Sequence, residues 1–366
     1  MWLLHAQTFE LRSFASAHVA PRYAILSHCW DDDEVTFVDI QELTRAQSKR
    51  GWLKVSNACS VALLQHNCQW IWIDTCCIDK SSSNELSEAI NSMFDWYKWA
   101  HICLAYLGDL VDLDPSTQLL SFGRSRWFTR GWTLQELIAP NPKMVFYTAT
   151  WVQIGTRSML GDVIVRVTGI NRSILWTQYD PGTLNLSIAT RMSWAVGRQT
   201  TRPEDRAYSL MGLFGIKMPV IYGEGEEAAF LRLQLEIIRR SDDHTIFAWG
   251  LNDPYRTRLD RFDRPQVELK DVQSVGDIAG TSLLAPSLDA FRGSGDFDPI
   301  SIGLLAQVLN LPRLREPHFY DTNMGIRIQL PIRELHQRAP ATPPVLYVAA
   351  LPCHIGAEKQ DSYSNR

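Results

Sequence analysis

Tyr23-Ala24-Ile25-Leu26-Ser27-His28 is an apolar run that stops on two polar residues, and two later runs repeat the pattern: Trp70-Ile71-Trp72-Ile73 ends in Asp74, and Ile102-Cys103-Leu104-Ala105-Tyr106-Leu107 ends in Gly108-Asp109. Runs that are apolar throughout, rather than alternating, fit strands covered on both faces. Between the first two, Gly51 to Gln65 carries Val55, Cys59, Ala62 and Leu63 on one helical face. Between the second and third, Ser82-Ser83-Asn84-Glu85 has the capping-box pattern and opens a helix whose Leu86, Ile90, Met93, Phe94 and Tyr97 share a face. Strand, helix, strand, helix, strand predicts an α/β fold with a parallel, doubly wound sheet.

Ligands of such sheets bind outside the carboxyl ends of the strands. Ser27, His28, Asp74 and Asp109 gather there, so topology alone locates a candidate site. Asp74 also fits a plain loop cap, a common role for Asp after a strand.

The stretch from Ser125 to Pro140, Ser-Arg-Trp-Phe-Thr-Arg-Gly-Trp-Thr-Leu-Gln-Glu-Leu-Ile-Ala-Pro, concentrates Trp, Arg and a single acid. From Trp132 the pattern is helical, with Trp132 and Glu136 four residues apart on one face and Pro140 as the stop. An acid beside an aromatic and facing a cleft is desolvated and tuned for binding or proton transfer. A surface Glu136 that merely balances Arg130 is the alternative.

Asp112 to Gly123 before it reads as turn-prone. Downstream, Ala189 to Arg198 is helical, and Pro203-Glu204-Asp205 announces another helix start. Gly223-Glu224-Gly225 resembles a phosphate loop superficially. Its acids Glu224, Glu226 and Glu227 would repel phosphate, so a turn leading into a helix over 226–240 is expected. From about residue 251 short strands such as Ile326-Arg327-Ile328-Gln329-Leu330 and Val345-Leu346-Tyr347-Val348-Ala349 stand between Pro, Gly and Asp. The expected organisation is an α/β core at 1–150, a helical extension at 151–250, a smaller β-rich C-terminal region at 251–356 and a disordered tail at 357–366.

Hydrophobic residues make up 45% of the 366 and charged residues 21%, with 13 Trp, which is the composition of a folded interior. A net charge of -4 with no basic run argues against a nucleic-acid partner. No apolar stretch reaches the roughly 20 residues of a membrane helix, and the opening residues lack a signal-peptide core, so a cytoplasmic location is expected. The seven Cys lie mostly in apolar runs and read as reduced and buried; adjacent Cys76-Cys77 lacks metal-ligand spacing, so no metal site is expected. His28-Cys29 is no catalytic dyad, because neighbours on a strand point to opposite faces.

Three blocks in order carry a family resemblance: Tyr23 to Trp30, Trp72 to Lys80, and Arg126 to Leu137 closely resemble those of the fungal HET (heterokaryon incompatibility) domain. The segment from Arg191 through Arg202-Pro203-Glu204-Asp205-Arg206-Ala207-Tyr208 to Tyr222-Gly223-Glu224-Gly225 is similar to what usually follows it. The resemblance implies a role in vegetative incompatibility, where fusion of unlike fungal cells triggers programmed cell death, with a second polypeptide as incompatibility partner. HET domains in turn resemble TIR domains, flavodoxin-like modules that self-associate and in several lineages hydrolyse NAD through a glutamate in a Trp-Cys-x-x-Glu pattern. Trp132-Thr133-Leu134-Gln135-Glu136 has that shape, with Thr133 in place of the Cys.

The resemblance thus implies a TIR/flavodoxin-like sheet and NAD as a substrate rather than a bound cofactor. Glu136 would be the catalytic glutamate, its carboxylate holding the ribose hydroxyls and the developing oxocarbenium charge. On predicted position, Ser27 and His28 would line the ribose-phosphate side, Trp30 or Trp132 would stack a base, Asp74 would orient a ribose hydroxyl and Arg130 would contact phosphate. Two other functions fit the same residues: a non-catalytic, self-associating scaffold in which Glu136 is structural, and a fold recruited to a biosynthetic reaction.

Overall fold

The computed structural model describes residues 1–111, 118–140, 143–177, 179–181, 186–250, 283–308, 319–322, 325–328, 332–335, 346–349 and 353–355. The chain forms two units: Met1–Leu184 with Gly197–Gly225, and Asn185–Val196 with Glu226–Arg366.

In the first unit the three apolar runs are strands β3 (Tyr23–His28), β4 (Trp70–Trp72) and β5 (Ile102–Leu107), and around them stand β1 (Trp2–His5), β2 (Leu11–Ser13), β6 (Met144–Thr148) and β7 (Gln153–Thr156). Among the described residues they make one seven-stranded sheet in the order β2-β1-β4-β3-β5-β6-β7. The middle four, β4-β3-β5-β6, are parallel. Both flanks are antiparallel, which makes the sheet mixed instead of parallel throughout. All six residues of β3 and all five of β6 are buried, so the centre of the sheet is covered on both faces as continuous apolar runs require. β1, β2, β6 and β7 were not among the expected strands.

Helix α1 (Trp52–His66) links β3 to β4, and α2 (Ser83–Trp99) links β4 to β5. The chain therefore steps one way from β3 and then back past it, and right-handed crossovers put the two helices on opposite faces. α1 stops where Asn67 takes the left-handed conformation at φ 51°. α2 has half of the expected capping box: the Ser82 hydroxyl accepts from the Glu85 amide, while the Glu85 carboxylate takes the amide of Asp79. The reversal between β3 and β5 is the place where open α/β sheets leave a crevice at their carboxyl edge.

Of the segment read as turn-prone, residues 112–117 lie outside the described residues, and Gln118–Gly123 is helical instead of a turn. The helical pattern from Trp132 is real but starts one residue later, as α3 (Thr133–Ile138). The expected helix at 189–198 is shorter, Ile188–Ser193. Arg198 and Gln199 instead run extended, and Gln199 pairs with Arg130 in an isolated parallel bridge. There the Gln199 amide donates to Thr129 at 2.7 Å and the Gly131 amide to Gln199 at 2.8 Å. A Cβ on Gly131 would stand 2.5 Å from Thr200 Cγ2, so any larger residue at this bridge would push the Thr200 side chain aside.

The second unit contains α4 (Glu226–Ile238) and the short strands β8 (Phe297–Pro299), β9 (Phe319–Thr322), β10 (Gly325–Ile328), β11 (Ile332–Leu335), β12 (Leu346–Ala349) and β13 (Cys353–Ile355). These pair antiparallel as β9 with β10, β11 with β12, and β8 with β13. Gln234 on α4 is fully buried and exchanges two 3.0 Å bonds with the backbone of Ala285, standing in for a strand neighbour. The tail at 357–366 lies outside the described residues.

Candidate functional site

Register brings the expected residues together at the carboxyl edge of the first unit's sheet. Ile25 pairs with Trp72, so Asp74, two residues past it, comes level with Ser27. Ser27 and His28 are neighbours on β3 and project to opposite faces. Their partners show it: Ser27 meets α3 and the turn before it, and His28 meets the residues ending β4.

On the first face the Ser27 hydroxyl donates to Glu136 Oε2 at 2.5 Å and accepts from Trp127 Nε1 at 2.9 Å. Tyr97 of α2 donates to the carbonyl of Leu26 at 2.9 Å, and its hydroxyl also acts to lower the pKa of the Glu136 carboxyl. Glu136 is only 5% exposed, so it is no surface acid balancing Arg130. Burial, helped by the negative Asp74, pushes its pKa up to about 8 against the pull of Ser27, Tyr97 and Arg130. Glu136 is therefore a neutral acid at pH 7. Trp127 donates to Ser27, Ser27 to Glu136, and Tyr97 to the Leu26 carbonyl, so each of these three groups has its proton placed.

On the second face His28 Nε2 bonds Asp74 Oδ1 at 2.9 Å, and Trp30 Nε1 donates to Asp74 Oδ2 at 2.7 Å. Trp30 is 44% exposed and carries the Lys80 ammonium over its ring at 3.6 Å. Burial alone would raise the Asp74 pKa, but His28, Lys80 and the Trp30 bond hold it below the ordinary range. Glu34 stands 4.0 Å from His28 Nδ1, and both that nitrogen and Glu34 Oε2 are buried without a hydrogen-bond partner. The neighbouring Cys29 is no nucleophile: burial pushes its thiol up to about 12.

Two of the expected residues go elsewhere. Trp132 is half-buried and its Nε1 donates to Asp205 at 3.2 Å. Arg130 bonds the Thr201 hydroxyl at 3.3 Å, although its charge still lowers the Glu136 pKa. Sequence reasoning missed Trp127, Tyr97 and Arg198. Arg198 is buried, bonds the Arg130 carbonyl at 2.9 Å and Thr133 Oγ1 at 3.2 Å, and so secures the start of α3. Desolvation brings it down to about 10 while the nearby Glu136 opposes that fall. Its only sequence signal was an arginine closing a segment read as a helix.

The Gly223-Glu224-Gly225 turn does hold an anion, and that anion is internal. Gly223 and Gly225, at φ 100° and 84°, direct their amides at 2.8 and 3.1 Å onto Glu204 Oε1. Asp205 takes Tyr222 at 3.0 Å, and Tyr208 donates to Glu224 at 2.6 Å. The two downstream motifs are thus two halves of one structural knot.

Among the described residues no group of His, Cys, Asp and Glu is arranged to hold a metal ion, and no helix is long and apolar enough to cross a membrane. With this geometry in hand, comparison places the chain among HET-domain proteins: residues 23–115 match the heterokaryon incompatibility protein (HET) family. Residues 228–356 match a domain of unknown function, DUF8212. The chain is 43% identical over 256 residues to vegetative incompatibility protein HET-E-1 of Podospora anserina. That match covers 68% of this chain and 18% of the relative, so the chain corresponds to less than a fifth of that protein's length. No solved structure matches the chain at a meaningful level.

Proposed function

We propose that this chain is the effector portion of a heterokaryon-incompatibility system, acting in the cytoplasm, and that it cleaves the nicotinamide–ribose bond of NAD or a related nucleotide at Glu136. One observation supports this above the rest: a buried carboxyl that keeps its proton to about pH 8 sits one hydrogen bond from Ser27 at the β3–β5 switch point. Strongly perturbed acids in that position are poised for chemistry. The matching Trp-x-x-x-Glu pattern of NAD-cleaving TIR domains and the β4-β3-β5-β6 strand order point the same way.

The nicotinamide ring of NAD is cationic, and its arrival beside Glu136 favours the carboxylate. As the C1′–N bond breaks, its electron pair leaves with the neutral nicotinamide, and the Glu136 carboxylate stabilises the oxocarbenium-like ribose. Water then adds to C1′ and releases one proton. Asp74 and His28 hold the ribose side, the exposed face of Trp30 stacks a base, and Arg130 adds positive charge. Trp132, whose Nε1 donates to Asp205, is the alternative stacking ring. Self-association assembles the active form.

The burial of Glu136 and its bond from Ser27 favour a second reading, in which it only pins α3 to β3 in a scaffold that signals by association. Glu136→Gln separates the two, because it keeps the shape and the bond from Ser27 but cannot ionise. The assay is nicotinamide release from NAD by the purified, concentrated chain. The catalytic reading expects release by wild type and a loss of at least about 100-fold in the variant. Equal release by both proteins, or none by assembled wild type, contradicts it.

A further inference from the structure

We propose that Lys54 and Arg126 form a phosphate-binding subsite beyond the carboxyl ends of β3 and β5, and that the Asp31 carboxylate occupies it in the unliganded protein. Asp31 lies three residues past β3, with Oδ2 3.8 Å from where a Cβ on Gly108 would stand, just beyond the end of β5. Its carboxylate is shared by two cations from separate elements. Lys54, on the first turn of α1, donates to Oδ2 at 3.3 Å, and Arg126, from the turn before α3, bonds Oδ1. Two cations converging on one pair of oxygens at a switch point is the arrangement that a phosphate calls for.

The cations are built in, and the anion is exchangeable. Lys54 is 6% exposed and is held independently by Glu34 and by the Cys29 carbonyl at 3.4 Å. Arg126 is fixed at its backbone, whose amide donates to Asp109 at 2.7 Å, and Ser125 bonds the same carboxylate at 2.7 Å. The Asp31 side chain is 45% exposed, while its own backbone amide stays on Glu34 at 2.8 Å. Rotation of one side chain therefore vacates the subsite without moving a loop, and an exposed ion pair is weak enough to yield. Gly108 leaves room for the incoming group, because any Cβ there would already lie 3.0 Å from the Tyr106 ring. The nucleotide reading supplies only the carrier of the phosphate, a nucleoside diphosphate; the subsite itself stands on these contacts.

The test is calorimetric titration of the full chain with inorganic pyrophosphate at low ionic strength. Asp31→Asn is expected to bind it about tenfold more tightly than wild type, and Arg126→Gln added to Asp31→Asn should cancel the gain. Competition between pyrophosphate and ADP-ribose, with orthophosphate at least tenfold weaker, assigns the subsite to a nucleotide; equal orthophosphate binding assigns it to free phosphate. Should Asp31→Asn fail to fold, the Arg126 Nε–H resonance of the wild-type protein is followed instead and should shift on adding pyrophosphate. Folded Asp31→Asn that binds no more tightly than wild type, or an Arg126 resonance that does not move, overturns the proposal. Binding is read without turnover, so absent nicotinamide release would sink the glycosidic reading and leave this one standing.

Discussion

Glu136 and Glu204 belong to the same unit, and each is 5% exposed, yet their protonation states are opposite. Glu204 sits in a surface turn where the amides of Gly223 and Gly225 converge on one oxygen; these hold its pKa below the ordinary range although burial would raise it. Glu136 lies under the end of the sheet with hydroxyl partners only, and its pKa climbs to about 8. The difference lies in which influence wins: at Glu204 the converging backbone amides and Arg202 outweigh burial, whereas at Glu136 burial and the negative Asp74 outweigh the pull of Ser27 and Tyr97. The acid held as a carboxylate is architecture, and the one that keeps its proton is available for chemistry.

Breaking the architectural side has the largest expected effect. Glu204→Ala strands two amides and should lower unfolding free energy by about 2–6 kcal/mol, measured by urea denaturation at pH 7. Glu204→Gln, which still accepts from both amides, should recover much of that loss.

A smaller effect sharpens the other side. In the unfolded chain Glu136 ionises near 4.5, whereas the folded protein keeps its proton to about 8. The stabilisation this brings is complete below pH 4.5 and fades as pH rises through 8, because the folded state binds the extra proton across that window. Relative to Glu136→Gln, wild-type stability should fall by up to about 1.4 kcal/mol per pH unit in this range. Parallel stability profiles for the two proteins would refute the assignment.

Much of the sheet's centre was legible, because strands buried on both faces need uninterrupted apolar runs and β3, β4 and β5 have them. β6, Met144-Val145-Phe146-Tyr147-Thr148, is as apolar and buried throughout but is not among the expected strands. β1 and β2 pair at an edge, where a short strand needs no long apolar run.

At the site, helical spacing and strand ends placed Glu136 and Ser27 near one another, but their hydrogen bond spans 109 residues of sequence and depends on register. Arg198 and Trp127 were invisible for the same reason: a buried arginine and an indole that bonds a serine declare themselves only once their distant partners are in place. The internal anion of the Gly223–Gly225 turn was half legible; its acids excluded phosphate, but nothing local named Glu204.

All of this turns on the proton of one carboxyl. Carbon-13 labelling of glutamate side chains, with Glu136→Gln to identify the resonance, allows that carboxyl to be titrated by NMR in the folded protein. A midpoint near 8 is expected. A midpoint in the ordinary glutamate range, about 4 to 5, would mean that Glu136 is charged at neutral pH, and the distinction drawn between it and Glu204 would be wrong.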